Sequence, residues 1–419
     1  MTTTGFADRL RLSRRETLRA LGGAAAGLSF MRMAGATASA ADRVAAVDWE
    51  QIPSQFLMDP ELAYLNTGSL GASPLAALEA ARAAAQQIEQ NPVAQGFGPV
   101  LADAEKTRQV FADLLGCKLE EVCVTGNTSD GMNLVAEGLN LQPGDHVVTT
   151  NHEHAGGRRC WEFLAKRRGV ILDFADIGSP PASEDEVVDR VASAITPKTR
   201  VISVSQVTFS SGVQLPIARL SELAHRSGCL LCVDGAQAAG ALPVNVAELG
   251  CDTYATSGHK WLLGAKGTGL LYVSERVKDR VAPMRLDDGY GVYTAIGGTN
   301  DMVGIIGLAA AVEWAGTLGH AAVFERIMRS REELYAALAV QPGVKINSPP
   351  SGSSMASHLV CFTIEDHDKL GKVNEQFAKD KIVVKTVHHG GIDFRVGCHV
   401  YNRPEDISRF AASLKAAMT

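Results

Sequence analysis

The 419-residue sequence lacks a strong charge of either sign: 40 Lys and Arg stand against 46 Asp and Glu, for a net −6. That leaves no basic footprint for nucleic acid. It also lacks a GxxxxGK[ST] run, and no GxGxxG opens a helix. The glycine-rich "GAKGTG" (264–269) therefore does little for a nucleotide-binding α/β reading. No internal repeat is visible, which argues against solenoids and propellers. The eight cysteines (Cys117, Cys123, Cys160, Cys229, Cys232, Cys251, Cys361 and Cys398) include one CxxC pair, inside the apolar run "CLLCV". Strand positions three apart point to opposite faces, which argues against a shared metal. No metal site is expected, and most cysteines read as small core residues, with oxidation of a pair left open. What is present is 46% hydrophobic and 21% charged, enough for an ample core in two or three domains.

Charge is uneven along the chain. Residues 1–40 carry six arginines against Asp8 and Glu16, a surplus of +4 that leaves −10 on the remainder. Arg14-Arg15, an apolar stretch from Ala20 to Phe30 and "ASAAD" (38–42) follow one another, in the layout of a secretory signal. The stretch is too short to span a bilayer, so no stable membrane anchor is expected. Ser13-Arg14-Arg15-Glu16-Thr17-Leu18 resembles a twin-arginine signal, with Thr17 where that motif prefers phenylalanine. Cleavage is expected near Ala40. The implied destination is the periplasm or the exterior, with the twin-arginine translocase as a transient partner. A plain basic tail is the alternative.

Between about Leu119 and Val273 short apolar runs alternate with helical segments. "EVCVTG", "HVVTT", "VILDFA", "RVISVSQV", "CLLCVD" and "DTYATS" read as strands. "DGMNLVAEGL", "GGRRCWEFLAKRRG", "EDEVVDRVASAI" and "IARLSELAHRSG" read as helices between them. Such alternation implies a parallel sheet covered on both faces, with ligands at the strands' carboxyl ends. Beyond residue 320 a long helix and the strands "SHLVCFTIE", "KIVVKTV" and "GIDFRVG" suggest a smaller α+β domain. The expected division is a signal at 1–40, a segment at 41–75 packing near the site, a large domain at 76–318 and a small domain at 319–419.

The chemistry lies at strand ends. Asp234 follows "LLCV", and a carboxylate emerging from a buried strand is costly unless it meets a cation. Alone, it reads as a helix N-cap for "GAQAAGAL". Lys260, in "ATSGHKW" at the end of the next strand, changes the weighing. A desolvated lysine can form a Schiff base with a carbonyl. Pyridoxal 5'-phosphate needs that lysine and an acid against its ring nitrogen. Its phosphate needs hydroxyls and N–H groups, which Ser257, His259 and the helix start at Asn127, Thr128 and Ser129 supply.

With these residues in place the sequence resembles the class V aminotransferase family of fold-type I pyridoxal-phosphate enzymes, the group that includes cysteine desulfurases and isopenicillin N epimerase-like proteins. "YLNTGSLG", "TGNTSDGMN", "NHEHAGG", "VDGAQAAG", "TSGHKWLLGAKGTGLLYV", "GGTND" and "FRVGCHVYNRPEDI" fall in the family's order from Tyr64 to Ile407. The resemblance implies a large domain with a mostly parallel seven-stranded sheet, and a homodimer with shared active sites. It makes Lys260 the Schiff-base lysine and Asp234 the partner of the ring nitrogen. Gln237 would reach the ring hydroxyl and His154 would stack on the ring. Thr128, Ser257 and His259 would hold the phosphate, with Thr299 reaching it from the second subunit. Arg395 would pair with a substrate carboxylate, for which a planar fork suits, and Asn66 would line the substrate side. Plainer alternatives stand beside these: a loop histidine for His154, a helix cap for Thr299, a surface ion pair for Arg395 and a turn residue for Asn66.

The implied reaction is at the α-carbon of an amino acid or amino-acid-containing peptide, by transamination or epimerisation, with Lys260 as general base. Export points to tailoring of a secreted, siderophore-like product. Desulfurases need a thiol on a mobile loop ahead of the arginine. Here "VHHGGIDFRVG" is short and has no cysteine, and Cys398 lies beyond Arg395. The remaining alternatives are a lyase or desulfurase-like enzyme, or a binding protein that kept the fold without catalysis.

Overall fold

The computed structural model describes residues 47–419, and the segment read as an export signal lies outside the described residues. In chain order the main elements are β1 (Ala63–Tyr64), α1 (Leu75–Gln90), α2 (Leu101–Leu115), β2 (Val122–Thr125), α3 (Thr128–Gly138), β3 (His146–Thr150), α4 (Ala155–Arg168), β4 (Ile171–Ala175), α5 (Glu184–Ser193), β5 (Thr199–Ser205), α6 (Ile217–Arg226), β6 (Leu230–Asp234), β7 (Thr253–Ser257) and β8 (Gly269–Val273). There follow α7 (Met302–Leu318), α8 (His320–Ala339), β9 (Val344–Ile346), β10 (Val360–Ile364), α9 (Leu370–Lys379), β11 (Ile382–Val383), β12 (Lys385–His389), β13 (Ile392–Val396) and α10 (Pro404–Met418).

Seven strands form one sheet in the order β2-β8-β7-β6-β5-β3-β4. All pairings are parallel except those of β8, which runs against both neighbours. The six strands read from the sequence are six of these, and β8 is the seventh. Alternate residues feed two cores. Val201, Leu230 and Cys232 join one apolar cluster, whereas Ile202, Leu231 and Val233 join the other. A strand buried on both faces needs an unbroken apolar run, which is why "CLLCV" reads as it does. α7 is apolar on all sides, as a helix enclosed by others must be. Gly307 lets it approach α1 closely, since a Cβ there would lie 3.2 Å from that of Ala81.

Four further strands pair antiparallel in the order β12-β13-β10-β9. One face of this sheet carries Phe362, Phe394 and Val396 into a cluster with Phe377 and Phe410. The turn from β12 to β13 is Gly390-Gly391, with φ of 62° and 74°. Two consecutive left-handed residues make the tightest kind of hairpin, and glycine is the residue that tolerates them. β1 pairs in parallel with β11, and Asn66 bridges to Gly397 just past β13. These contacts bring the loop at 66–71 to the carboxyl edge of the large sheet. On that edge the register aligns Ser205, Asp234 and Ala255 across β5, β6 and β7.

Candidate active site

A cavity of about 330 Å³ opens at that edge. Of the residues singled out in the sequence, Asn127, Thr128, Ser129, His154, Asp234, Gln237, Ser257, His259 and Lys260 all line it. A larger cavity of about 590 Å³, walled by residues such as Leu114, Leu242, Val312 and Phe324, carries no such group of reactive side chains.

Lys260 sits in the turn after β7. Burial pushes its ammonium down to about 8, the Asp234 carboxylate opposes that shift, and Arg395 adds to it. Asp234 ends β6 at 6% exposure, and burial raises its carboxyl while Lys260 and the Ala236 N–H work against the rise. No helix follows it over 235–242, so it is not a helix cap. Its Oδ1 instead accepts from the Ala236 N–H at 2.9 Å, and its Oδ2 lies against the first turn of α4, where a Cβ on Gly157 would come within 2.4 Å.

α3 starts directly after β2 and is capped by Asn127, whose Oδ1 accepts from the Asp130 N–H at 3.0 Å. Thr128 Oγ1 and Ser257 Oγ meet at 2.7 Å. A helix N-terminus with two hydroxyls beside it is a ready anion site. His154 caps α4 by accepting from the Gly156 N–H at 3.0 Å, so both the loop and the cavity use it. Burial, Lys260, Arg395 and two further cations push its imidazole down to about 4, which keeps the ring neutral at pH 7. Gln237 Oε1 accepts from the Trp261 indole N–H at 2.8 Å, and its Nε2 donates to the Gly68 carbonyl at 2.9 Å. Because an indole nitrogen only donates, this contact fixes which way the amide faces.

Arg395 stands beside the cavity on β13 at 4% exposure, so it is no surface ion pair. It donates to the Phe209 carbonyl at 3.2 Å and the Ser69 hydroxyl at 3.4 Å, and among the described residues it meets no carboxylate. Asn66 is both a turn residue, accepting from the Ser69 N–H at 2.9 Å, and the owner of a buried Oδ1 with no partner among the described residues. His259 likewise has a buried, unpartnered Nδ1. Thr299 is exposed and apart from this cavity, and Asp301, not Thr299, caps α7 through the Gly304 N–H.

Several residues of the site escaped the sequence reading. Glu153 is buried, accepts from Thr150 Oγ1 at 2.6 Å and from Ser205 Oγ at 2.5 Å, and is pushed up to about 7 by burial, with Asp234 adding to the rise. It comes three residues after "HVVTT", past the end of β3, so its strand-end signal is weaker than that of Asp234. Phe209 lies edge-on to His154 with ring centroids 4.9 Å apart, and Trp261 braces Gln237. The cysteines are all free. Cys398 packs with Phe394 and Val396 on the face of β13 away from Arg395, whereas Cys361 lies directly opposite Arg395 in β10. Cys361 is fully buried, and its thiol is pushed up to about 12.

These groups fit pyridoxal 5'-phosphate: among the described residues, a lysine without an ion-pair partner, a buried acid across from it, and hydroxyls with an unpartnered imidazole nitrogen at a helix start. Solved structures with the same fold carry that cofactor. The cystine C–S lyase C-DES aligns over 88% of this chain and 99% of its own, at 25% identity and a TM-score of 0.78, in a form with glycine covalently linked to the cofactor. The Escherichia coli cysteine desulfurase CsdA aligns over 89% and 98%, at 25% identity and a TM-score of 0.74. The fold and site are therefore those of a fold-type I pyridoxal-phosphate-dependent enzyme. More narrowly, residues 98–410 match the aminotransferase class-V model, and the chain belongs to that family. Among its relatives, isopenicillin N epimerase of Amycolatopsis lactamdurans is 31% identical over 401 residues, covering 88% of this chain and 98% of that protein. A probable cysteine desulfurase of Methanothermobacter thermautotrophicus is 28% identical over 385 residues, covering 84% and 94%.

Proposed function

We propose that the enzyme binds an α-amino acid, free or within a peptide, by its carboxylate and moves the proton at the α-carbon, in an aminotransferase or epimerase reaction. The observation that carries this reading is Arg395, a buried guanidinium without a carboxylate partner among the described residues, beside the cavity that holds Lys260 and Asp234. Pyridoxal phosphate, when bound, supplies the electron sink for the electron pair left at the α-carbon. Thr128, Ser257, His259 and the N–H groups of α3 would hold its phosphate, and Asp234 would hold a proton at its ring nitrogen. His154 would pack against the ring, and the Gln237 N–H not given to the Gly68 carbonyl would be free for the ring hydroxyl. Lys260 Nζ takes the α-proton. Its value near 8 leaves a useful fraction neutral at physiological pH. Arg395, braced by the Phe209 carbonyl and Ser69, orients the carboxylate, and Asn66 lines that side.

C–S bond cleavage is the second reading, supported by the likeness to C-DES, because elimination from a β-substituted substrate begins with the same proton removal. Persulfide formation on a protein thiol has less support, since Cys361 and Cys398 are buried and β12 joins β13 through two glycines. We also propose that the active form is an exported homodimer that tailors a secreted, siderophore-like product. The basic and apolar layout of residues 1–40 supports export by the twin-arginine route, which carries folded cargo. The edge-on pair of Phe97 and Tyr293, 52% and 47% exposed, is an apolar surface suited to a second copy.

The test is purification, reconstitution with pyridoxal phosphate, and borohydride reduction. The cofactor should become covalently fixed to Lys260 and fail to do so in Lys260→Ala. A screen of amino acids and peptides in heavy water should then reveal α-deuterium uptake. A protein that captures no cofactor, or that exchanges no α-proton across the screen, would overturn the reading.

A further inference from the structure

Arg395 does not stand alone on its face of the four-stranded sheet. Lys385, the first residue of β12, lies directly opposite it in the antiparallel register. Residues directly opposite one another in such a pair project to the same face, with Cβ atoms about 4.5–5.5 Å apart. Cys361, directly opposite Arg395 on β10, packs with Phe209, so this face turns toward the cavity wall that Phe209 forms. His389 continues that wall, its ring 5.5 Å from that of Phe209.

Two cations placed opposite each other repel, and a sheet ordinarily avoids the arrangement or pairs it with acid. Neither is paired here: among the described residues no ion pair includes Lys385 or Arg395. Both depress the His154 imidazole, along with Lys260 and Arg158. Arg158 is satisfied by Glu162 at 2.7 Å. One substrate carboxylate on Arg395 leaves Lys385 uncompensated, at the exposed end of the same wall.

We infer that Lys385 forms a second anion subsite and that the substrate is an acidic α-amino acid, free or at a peptide terminus, with its α-carboxylate on Arg395 and its side-chain carboxylate on Lys385. Phe209 and His389 flank the methylenes between the two. This rests on the amino-acid reading above and adds the class of side chain. It makes Lys385 a specificity residue, not a part of the proton-transfer machinery.

The experiment uses reconstituted full-length holoenzyme and follows the cofactor's visible absorption during titration with L-glutamate and L-2-aminoadipate, against L-glutamine as the neutral counterpart. The wild type should bind the acids about fivefold more tightly than glutamine, the upper range for a partly exposed ion pair. Lys385→Gln should bring that ratio to about one by weakening the acids alone, and Lys385→Arg should restore it. A wild type without acidic preference, or a Lys385→Gln enzyme that keeps it, overturns the subsite. Failure of borohydride to fix the cofactor on Lys260 would instead overturn the broader reading. A fixed cofactor together with no acidic preference condemns only the role given to Lys385.

Discussion

Replacing Glu153 by glutamine should stabilise the protein above neutral pH and leave it nearly unchanged in acid. The carboxyl is 4% exposed, and the hydroxyls of Thr150 and Ser205 that it accepts from do not compensate for its burial beside Asp234. Its value therefore rises from 4.5 to about 7. A carboxyl that holds its proton more tightly in the folded state contributes stability that is complete below about pH 4.5. That contribution is lost as pH climbs through about 7. At 1.36 kcal/mol for each tenfold change in proton affinity, the loss reaches about 3 kcal/mol by pH 8. Glutamine keeps the shape without the charge, and both hydroxyls can rotate to meet its amide. With an unfolding entropy of about 2.1 cal/mol/K per residue, the gap between variant and wild-type melting temperatures should widen by roughly 3 °C between pH 5 and pH 8. Thermal scans of the two holoenzymes at a common rate, at unit pH steps, measure it. A gap that stays constant with pH, or narrows as pH rises, would refute the assignment of an elevated carboxyl at this position.

Asp234→Asn should keep the Ala236 contact and retain the cofactor but lose about a hundredfold or more in turnover, because a preorganised charge facing the reacting system is removed; wild-type kcat would show that the carboxylate has only a local turn role. Cys361→Ala and Cys398→Ala should leave α-deuterium exchange within about twofold of the wild type, as expected for buried thiols far from thiolate form, and mass spectrometry after incubation with L-cysteine should find no persulfide on either residue. Residues 1–45 fused to a reporter that tolerates only folded export should cross the inner membrane, and Lys substitution of Arg14 and Arg15 should stop it. Transport that survives in a strain without the twin-arginine translocase would end that proposal.

Much of the large sheet was legible because a strand covered on both faces favours an apolar run, as in β6, and because β3, β5 and β7 mix valine, isoleucine, alanine and tyrosine with small Thr and Ser that can be buried. β8 was harder to read, since its "GLLYV" follows the turn-forming "GAKGT" and runs against its neighbours. α7 has no amphipathic period because it has no polar face to show. At the site, residues next to a motif in sequence could be found from sequence: Asn127, Asp234 and Lys260 all terminate or follow strands. Residues that reach it through strand pairing could not. The positions of Cys361 and Lys385 opposite Arg395 depend on register, which neither segment encodes alone. The cap reading of Asp234 also needed the fold, because only the absence of a helix after it excludes a cap.

The closure of the loop at 66–71 bears on the order of events as the chain is made. The Thr67 and Tyr401 hydroxyls meet at 2.5 Å across 334 residues of sequence, and Asn402 holds the Tyr64 carbonyl across 338. Lys260 and Asp234 leave the ribosome well before either C-terminal partner exists. At about 5–20 residues per second the delay is on the order of ten seconds or more. During it the lysine turn lacks the loop that packs Gly71 against the His259 carbonyl and Gly68 against Gln237. Retention of pyridoxal phosphate is thus a late event, and a nascent chain arrested before residue 400 should hold the cofactor loosely, however well its large sheet has formed.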